Sequence, residues 1–327
     1  MSYSQTQNVE APYSSFTLRR VAGHIGAQID GLPISGDLQQ SVIDDIERAL
    51  LTHKVIFFRG QAHLDDGIHQ AFGARFGITE AHPTVPSRQG TRLFELDASK
   101  GGGRADSWHT DVTFKAHYPK IGILRAVTVP AYGGDTVWAN TVRAYNRLPP
   151  ELKALAEQLW AVHSNDYDYA KDRQELDKAR LEHHKKVFIS DLYEAEHPVV
   201  HVHPVTGERA LLLGHFIKSL KNFSTSESAR VFDLLQSRVT RLDNTVRWQW
   251  RQHDVAMWDN RATQHYAVND YGDQPRVVRR VTVQGAAAIS VQGQSSRTKT
   301  APQDSAHPEL TSDAVAPGSA TDPALTF

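Results

Sequence analysis

The stretch Arg276-Val-Val-Arg-Arg-Val-Thr-Val-Gln284 alternates as a β-strand with two different faces does. Successive side chains of a strand point to opposite sides, so Arg276 and Arg280 share one face while Arg279 belongs to the other. Inside a barrel one of these faces points inward, and an inward arginine costs several kcal/mol unless it meets an anion. If the face that carries Arg276 and Arg280 is the inward one, the strand directs two arginines towards bound anions.

The spacing of these two arginines suits two anions better than one. At roughly 3.3 Å per residue, Arg276 and Arg280 lie about 13 Å apart along the strand, which is too far to share one carboxylate. The planar fork of arginine can hold either a carboxylate or a sulfuryl group. In the alternative interpretation both arginines face solvent and pair with surface acids such as Asp270 and Asp273. The strand alone leaves both interpretations open.

Short β-rich runs like this one recur along the chain, and helical patterns separate some of them. The strand patterns cover 55–58, 91–96, 121–129, 135–139, 198–203, 209–213, 245–251, 255–258, 263–268 and 276–284. The apolar spacing of helices occurs at 38–50 and at about 65–76, 150–160, 172–186 and 226–240. Because strands and helices do not alternate regularly, a doubly wound parallel sheet is disfavoured. The order predicts a mainly β fold with helical insertions, in which helices pack outside a barrel or jelly roll.

The two ends of the chain differ in composition from its centre. Residues 1–15 are mostly polar, and the C-terminal region is rich in Ser, Thr, Pro, Ala, Gln and Asp with few large apolar residues. Such a tail cannot bury enough surface to offset the entropy of ordering it. The sequence therefore predicts a flexible N-terminus (1–15), one domain (16–285) and a disordered tail (286–327).

Composition limits the kinds of partner that we expect. The 327 residues carry a net charge of −1, which gives no electrostatic support for binding nucleic acid or an anionic membrane. The absence of cysteine excludes disulfides, thiolate zinc sites and iron–sulfur clusters, and fits a reducing cytoplasm. The first residues lack the apolar core of a signal peptide, and no segment has the length of a membrane span. We therefore expect a cytoplasmic protein whose cofactor chemistry depends on His, Asp, Glu and Arg.

Trp108-His-Thr-Asp111 is the candidate metal-binding stretch. His109 and Asp111 are two residues apart, so their side chains leave the same face of an extended strand. With one more histidine they would form the 2-His-1-carboxylate triad of non-haem iron(II) oxygenases, which leaves coordination positions open. We choose His265 as the third ligand.

Other histidines offer rival sites. His63-Leu-Asp65 has the same H-x-D pattern, but there the acidic residues precede a helical apolar pattern and are typical of a helix start. His201-Val-His203, with His197 nearby, could bind zinc. Histidines in a half-buried sheet more often make ordinary hydrogen bonds, which is the interpretation we favour for these three.

Four segments that follow one another in the chain carry a family resemblance: Trp108-His-Thr-Asp-Val-Thr-Phe114, Gly133-Gly-Asp-Thr136, Trp258-Asp-Asn-Arg-Ala-Thr-Gln-His-Tyr266 and Arg276-Val-Val-Arg-Arg280. Together they resemble the taurine dioxygenase family of oxygenases that depend on iron(II) and 2-oxoglutarate. The resemblance covers about 16–285 and implies a double-stranded β-helix, or jelly roll, with Fe(II), 2-oxoglutarate and O2 as cofactor and co-substrates. It extends to the bacterial alkylsulfatases through Thr136-Val-Trp-Ala-Asn140, Leu159-Trp-Ala-Val-His-Ser-Asn165 and Asp166-Tyr-Asp-Tyr169.

The resemblance implies roles for the metal ligands and for the co-substrate site. By this resemblance His109, Asp111 and His265 bind the iron. Thr136 and Arg276 match the residues that hold the distal carboxylate of 2-oxoglutarate. The implied assignment agrees with the strand argument, in which Arg276 serves one of two anion sites.

The resemblance also implies how the substrate is bound. Arg280 and His82 match the side chains that grip a sulfonate or sulfate, helped by the backbone amide of Val112. Ala105 and Val85 stand where taurine enzymes carry polar residues near the substrate amine, so they suit an alkyl chain better than an ammonium group. The implied reaction cleaves an alkyl sulfate ester oxidatively to aldehyde and sulfate, with formation of succinate and CO2, for sulfur acquisition.

Three alternatives remain open at this point. A taurine or alkylsulfonate dioxygenase of the same family would use the same metal site. A hydrolytic zinc enzyme, similar in its reaction to a sulfatase, could use the same ligands with an activated water. A non-enzymatic binding protein on the same fold would not need the complete triad. For the active enzyme we expect a small-molecule partner, no nucleic acid or membrane partner, and a homo-oligomer, either a dimer or a tetramer.

Overall fold

Strands dominate the part of the chain that the computed structural model describes, which comprises residues 13–85, 87, 91–97, 105–166 and 192–301. The strands of these residues are β1 (Thr17–Arg20), β2 (Ala27–Asp30), β3 (Val55–Phe58), β4 (Thr79–Glu80), β5 (Phe94–Asp97), β6 (Ile121–Thr128), β7 (Thr136–Asn140), β8 (Trp160–Ser164), β9 (Glu194–Pro198), β10 (Val200–Val202), β11 (Arg209–Leu211), β12 (Ile217–Leu220), β13 (Thr245–Trp248), β14 (Val255–Asp259), β15 (Thr263–Ala267), β16 (Val277–Val283), β17 (Ile289–Ser290) and β18 (Arg297–Thr300). Their α-helices are α1 (Gln40–His53), α2 (Asp66–Ala74), α3 (Thr141–Asn146), α4 (Pro150–Ala156) and α5 (Thr225–Val239).

The strands form one large sheet and three smaller ones. The large sheet has the order β1-β2-β3-β14-β6-β16-β4, and β5 also pairs with β16. Its strand pairs are antiparallel except β2 with β3. The smaller sheets have the orders β13-β7-β15, β11-β10-β17 and β12-β8-β9-β18. This antiparallel, multi-sheet arrangement confirms the predicted mainly β fold.

An aromatic layer joins the large sheet to the sheet of β13, β7 and β15. Phe57 of β3 stacks on Trp248 of β13, with ring centroids 4.0 Å apart, and meets Trp138 of β7 edge-on at 5.5 Å. Trp258 of β14 adds to this layer, and its ring lies so close to Gly122 of β6 that a Cβ there would come within 2.3 Å of it. The two sheets therefore face one another across a packed interior, as in a jelly roll.

Helices cover the other face of the large sheet. Ile46 of α1 and Phe72 of α2 belong to the core cluster that contains Ile56 and Phe58 of β3. Because Phe57 of the same strand points into the aromatic layer, β3 is buried on both faces. Burial on both faces explains why its sequence is a continuous apolar run and not an alternating one. Among the described residues, no helix is long and apolar enough to cross a membrane.

Most of the predicted elements appear at or near their predicted positions. The helix predicted at 150–160 is too long, since α4 ends at Ala156 and β8 begins at Trp160. The helix predicted at 172–186 lies outside the described residues. Asp65 caps α2 by accepting a hydrogen bond from the Ile68 backbone N–H at 2.7 Å, so this H-x-D pattern does mark a helix start.

Both of the terminal segments that the sequence predicted, 1–15 and 286–327, contain residues that contact the rest of the fold where the structure describes them. Tyr13 stacks on Phe16 at 5.0 Å, and Ser14 donates to Asp45, so residues 13–15 are held against α1. The predicted tail contains β17 and β18, and β18 pairs with β9. Composition does not reveal these strands, because they are not held by large apolar side chains. Backbone pairing and buried hydroxyls, such as that of Ser296, hold them instead. Residues 1–12 and 302–327 lie outside the described residues.

Candidate active site

His109, Asp111 and His265 meet in one buried cluster, with one potential ligand atom from each lying within 4.8 Å of the others. His109 and His265 face each other across an antiparallel bridge with backbone hydrogen bonds of 3.0 and 2.8 Å, which brings their ring centroids to 4.1 Å. Asp111 Oδ1 is 3.8 Å from His109 Nε2, and Asp111 Oδ2 is 3.8 Å from His265 Nε2. The structure therefore brings together the three residues that the sequence predicted as ligands.

The chemistry of this cluster fits a divalent cation. His109 Nδ1 donates to the Ser107 carbonyl at 2.7 Å, which leaves the Nε2 lone pair free for a metal. Burial lowers the pKa of His109 and His265, so both rings are neutral, the form that binds metal. Asp111 Oδ2 is buried without a hydrogen-bond partner. Two neutral histidine nitrogens and one carboxylate, whose buried Oδ2 lacks a hydrogen bond, are the ligand set expected for Fe(II).

Arg280 keeps the carboxyl group of this cluster ionised. Burial opposes the ionisation of Asp111, but the charge of the Arg280 guanidinium and the hydrogen bond that it donates outweigh burial and lower the pKa of Asp111 to about 2. Arg280 Nη1 donates directly to Asp111 Oδ1. A charged carboxylate is therefore present at the candidate metal site throughout the physiological pH range.

Arg280 and His82 lie against the same aromatic ring. The guanidinium carbon of Arg280 lies 4.9 Å from the centroid of the Phe94 ring, and His82 stacks on that ring at 4.8 Å. The Thr84 backbone N–H donates to His82 Nδ1 at 3.3 Å, which places the ring proton on Nε2. Burial and the charge of Arg280 lower the pKa of His82 to about 3, so the ring is a neutral donor. The two side chains thus provide hydrogen-bond donors beside Asp111, where the sequence predicted the substrate anion.

A cavity of about 50 Å³ lies next to the metal cluster, and its lining includes both histidine ligands, Thr136 and Arg276. Trp250 Nε1 donates to Thr136 Oγ1 at 2.9 Å, so the threonine hydroxyl can direct its own proton to another acceptor. Arg276 is 7% exposed and donates from Nε to the Gly134 carbonyl at 3.2 Å. Gly134 has a φ of +70°, and a Cβ there would lie 3.3 Å from the Arg276 side chain. The glycine pair before Thr136 therefore gives the arginine room to enter the cavity.

The structure decides between the two interpretations of the arginine strand. Arg280 and Arg276 are both buried, whereas Arg279 faces outward to Asp66 and Glu95. Asp270 does not pair with either buried arginine: it accepts from the Gly134 N–H and from Arg247 instead. The inward interpretation is therefore correct.

An apolar wall beside the metal cluster was missed by sequence reasoning. Val112, the residue after Asp111, packs with Phe114, Phe216 and Tyr193. The Phe216 ring meets the His109 ring edge-on at 6.1 Å. Phe114 lies in one of the matched segments, but no spacing in the sequence indicated that Phe216 would join it.

The histidines that could have formed a zinc site make ordinary hydrogen bonds, which is the interpretation that the sequence favoured. His201 Nε2 donates to the Arg261 carbonyl at 2.8 Å, and His203 Nε2 lies 2.8 Å from Asp259 Oδ2. Both ring nitrogens of His197 are also hydrogen-bonded. Among the residues that the structure describes, only the cluster of the candidate active site brings three such ligand atoms close enough for a metal.

The burial of His201 predicts how stability depends on pH. Burial lowers the pKa of His201 from 6.5 to about 4, so below pH 6.5 the unfolded chain takes up a proton that the folded chain excludes. The free energy of unfolding should therefore fall as the pH drops from 6.5 to 4, by about 1.4 kcal/mol per pH unit for this proton. Urea unfolding of wild type and His201→Asn at several pH values measures the dependence. Between pH 6.5 and 4 the free energy of unfolding of the variant should fall less steeply, by about 1.4 kcal/mol per pH unit. Identical slopes would contradict the prediction.

Comparisons with known proteins agree with this geometry. The family model described as "Taurine catabolism dioxygenase TauD, TfdA family" matches residues 17–282. An alpha-ketoglutarate-dependent sulfate ester dioxygenase of Pseudomonas putida is 59% identical over 279 residues, which are 85% of this chain and 92% of that protein. An alkylsulfatase of Acinetobacter baylyi is 54% identical over 300 residues, covering 91% and 94% of the two chains. The crystal structure of a taurine dioxygenase from Burkholderia xenovorans matches with a TM-score of 0.73 at 34% identity, over 87% of this chain and 96% of that one.

Proposed function

The chain belongs to the TauD/TfdA family of dioxygenases, and we propose that it uses Fe(II), O2 and 2-oxoglutarate to cleave alkyl sulfate esters oxidatively. The products would be an aldehyde, inorganic sulfate, succinate and CO2, and the reaction would serve sulfur acquisition. The observation that carries the proposal is the placement of Arg280, which is buried beside Asp111 and bordered by apolar groups. An anionic headgroup on an apolar chain is the ligand that such surroundings suit best.

The co-substrate is assigned to the cavity beside the metal cluster. We propose that Arg276 and Thr136 bind the distal carboxylate of 2-oxoglutarate, because a buried guanidinium and a free hydroxyl proton converge there. His109, Asp111 and His265 would hold Fe(II), which when bound supplies the redox chemistry that couples O2 and 2-oxoglutarate to oxidation of a carbon–hydrogen bond.

The substrate is assigned to the end of the same inward face at which Arg280 lies, since Arg280 and Ala105 also line the cavity beside the metal cluster. We propose that Arg280, His82 and the Val112 amide bind the sulfate group and orient the carbon that carries the ester oxygen towards the metal. Phe216 and its apolar neighbours would exclude water and contact the alkyl chain. Hydroxylation of the oriented carbon gives a hemiacetal sulfate, which collapses to aldehyde and sulfate without further help from the protein. The chain's contribution is therefore mainly positioning.

The alternative substrates differ in what they need from the pocket. Taurine carries an ammonium, and neither Ala105 nor Val85 offers it a polar side chain, so burying that charge would be costly. Ala105 lines the cavity beside the metal cluster, and Val85 is partly buried. A hydrolytic zinc enzyme finds no support in these comparisons, since the family model is that of dioxygenases and the relative with 59% identity is named a sulfate ester dioxygenase.

We expect kcat/KM to rise along a series of alkyl sulfates. Each methylene buried against the apolar wall should contribute up to about 0.8 kcal/mol, roughly fourfold per carbon, until the pocket is full. Succinate formation from 2-oxoglutarate with a panel of alkyl sulfates and sulfonates measures this. Each alkyl sulfate should release inorganic sulfate in equal amount, whereas a sulfonate would release sulfite. A higher kcat/KM for taurine than for hexyl sulfate would contradict the substrate assignment and leave the dioxygenase itself untouched. Sulfate release without 2-oxoglutarate would favour hydrolysis.

We further propose that the dioxygenase domain corresponds to residues 16–285, that the protein is cytoplasmic and that it forms a dimer or tetramer. The absence of cysteine supports a reducing compartment. Exposed apolar side chains such as Tyr132 and Leu242 are candidates for contacts between subunits. Sedimentation velocity on the full chain gives the oligomeric state.

A further inference from the structure

The backbone beside one candidate ligand has an unusual conformation. Val112, which directly follows Asp111, has a φ of +58°. A β-branched residue rarely adopts this left-handed region, because its Cβ crowds the backbone, and such strain persists only where the surroundings enforce it. The neighbours of Val112 must therefore hold the turn from outside.

Asn260 holds the backbone on both sides of the Asp111 Cα. Its Oδ1 accepts from the Asp111 N–H at 2.9 Å, and its Nδ2 donates to the Asp111 carbonyl at 3.1 Å. The same Nδ2 donates to the Pro119 carbonyl at 2.9 Å, where the segment that follows the ligand returns. The side chain is fully buried, so water cannot replace these bonds. One amide therefore fixes both peptide groups of Asp111. It also joins the two ends of the segment 111–119, which contains Val112.

Asn260 is itself held firmly, in the short turn between β14 and β15. Its own N–H donates to the Lys120 carbonyl at 3.0 Å. The preceding residue, Asp259, is buried and accepts three hydrogen bonds from Arg261 and one from His203. Since β15 also carries His265, the turn places Asn260 in fixed relation to a second candidate ligand.

We propose that Asn260 is a positioning residue for the metal site, which sets Asp111 at the distance from His265 that a metal ion needs. The proposal rests on the assignment of the three metal ligands. It also gives a role to His203, which the sequence offered as a rival zinc ligand: through Asp259, His203 stabilises the turn from which Asn260 reaches the ligand.

The chain offers a closely matched control in Asn244. Its side chain is 1% exposed, its Nδ2 donates to the carbonyls of Asn140 and Val239 at 2.9 and 2.8 Å, and its Oδ1 accepts from Arg143 at 3.3 Å. It therefore makes the same kinds of bond as Asn260. None of its partners belongs to the candidate active site. Any general loss of stability from deleting a buried amide should be similar for the two residues.

The test compares Co(II) affinity and stability in Asn260→Ala, Asn244→Ala and the milder Asn260→Ser. Anaerobic calorimetric titration with Co(II) gives the affinity, and urea unfolding of the metal-free proteins gives the stability. We expect both alanine variants to be destabilised, but only the changes at Asn260 to weaken Co(II) binding, by roughly 10- to 100-fold, as is typical when a group that orients a metal ligand is removed. The Co(II) absorption spectrum should also change only in the Asn260 variants.

Two results would overturn the proposal. One is Co(II) affinity within twofold of wild type in Asn260→Ser or in a folded Asn260→Ala. The other is an equal loss of affinity in Asn244→Ala, which would show that general stability governs binding. Asp111→Ala separates the premise from the proposal: if it binds Co(II) as tightly as wild type, the ligand assignment fails first and the proposal fails with it.

Discussion

Replacement of His109, Asp111 or His265 by alanine should lower kcat/KM by about 1,000-fold or more. A bound metal stabilises the transition state by several kcal/mol, and each 1.36 kcal/mol is a factor of ten in rate. All three residues contribute an atom to the candidate metal cluster, so the loss of any one of them removes a ligand. Oxygen consumption in the presence of 2-oxoglutarate and an alkyl sulfate gives the rate.

His63→Ala is the matched control for these variants. His63 belongs to the second H-x-D pattern, but its ring bonds to the Ile34 carbonyl at 2.9 Å and Asp65 caps α2. We therefore expect near-normal turnover from it. Anaerobic Fe(II) with 2-oxoglutarate should give wild type a weak visible charge-transfer band. A band of full intensity in His265→Ala would show that this histidine is not a ligand.

The two inward arginines should separate the two anions. Arg276→Ala should chiefly weaken the binding of 2-oxoglutarate, and Arg280→Ala that of the alkyl sulfate. Loss of a charge-assisted bidentate contact costs on the order of 2–4 kcal/mol, or roughly 30- to 1,000-fold in affinity. Titration of each ligand against each variant gives the four dissociation constants.

Arg279→Ala provides the control from the same strand. Its side chain points to the opposite face and pairs with Asp66 and Glu95, so its loss should affect stability and leave both affinities within about twofold. If Arg276→Ala and Arg280→Ala instead weaken both ligands equally, the two arginines serve one site and the spacing argument is wrong.

Local sequence pattern was enough to predict the elements in which the order of polar and apolar residues reflects which faces are buried. The alternation of 276–284 predicted β16 and the face on which Arg280 lies, because at the start of the strand Val278 and Arg280 are buried while Val277 and Arg279 are only partly buried. The apolar run of 55–58 predicted β3, since burial on both faces leaves no place for a polar residue. The H-x-D spacing indicated His109 and Asp111, and the family resemblance added to it.

Other features depend on contacts between distant segments and leave no local signal. Phe216 borders the metal cluster only because the loop before β12 returns to His109 through the Trp108 carbonyl, which accepts from the His215 N–H at 2.8 Å. The strand β18 is polar, and its position depends on pairing with β9. The positioning role of Asn260 has no local signal either, since its side-chain partners Asp111 and Pro119 lie 149 and 141 positions earlier in the chain.

One short segment of chain, β16 and the residue before it, carries both inward arginines and sets the distance between them. Arg280 lies within β16, which hydrogen bonds to β6 and β5 hold on its two edges, and Arg276 directly precedes the first residue of that strand. The separation of the two guanidinium groups is therefore set by covalent geometry and does not require two halves of the protein to close on each other. Mutations that diversify the substrate range can then accumulate in the surrounding walls, such as those at Val85, Ala105 and Phe216, without changing that spacing. On this scaffold, new specificities should evolve by changes in the walls that contact the rest of the substrate, while the arginine that binds its acid group stays in position.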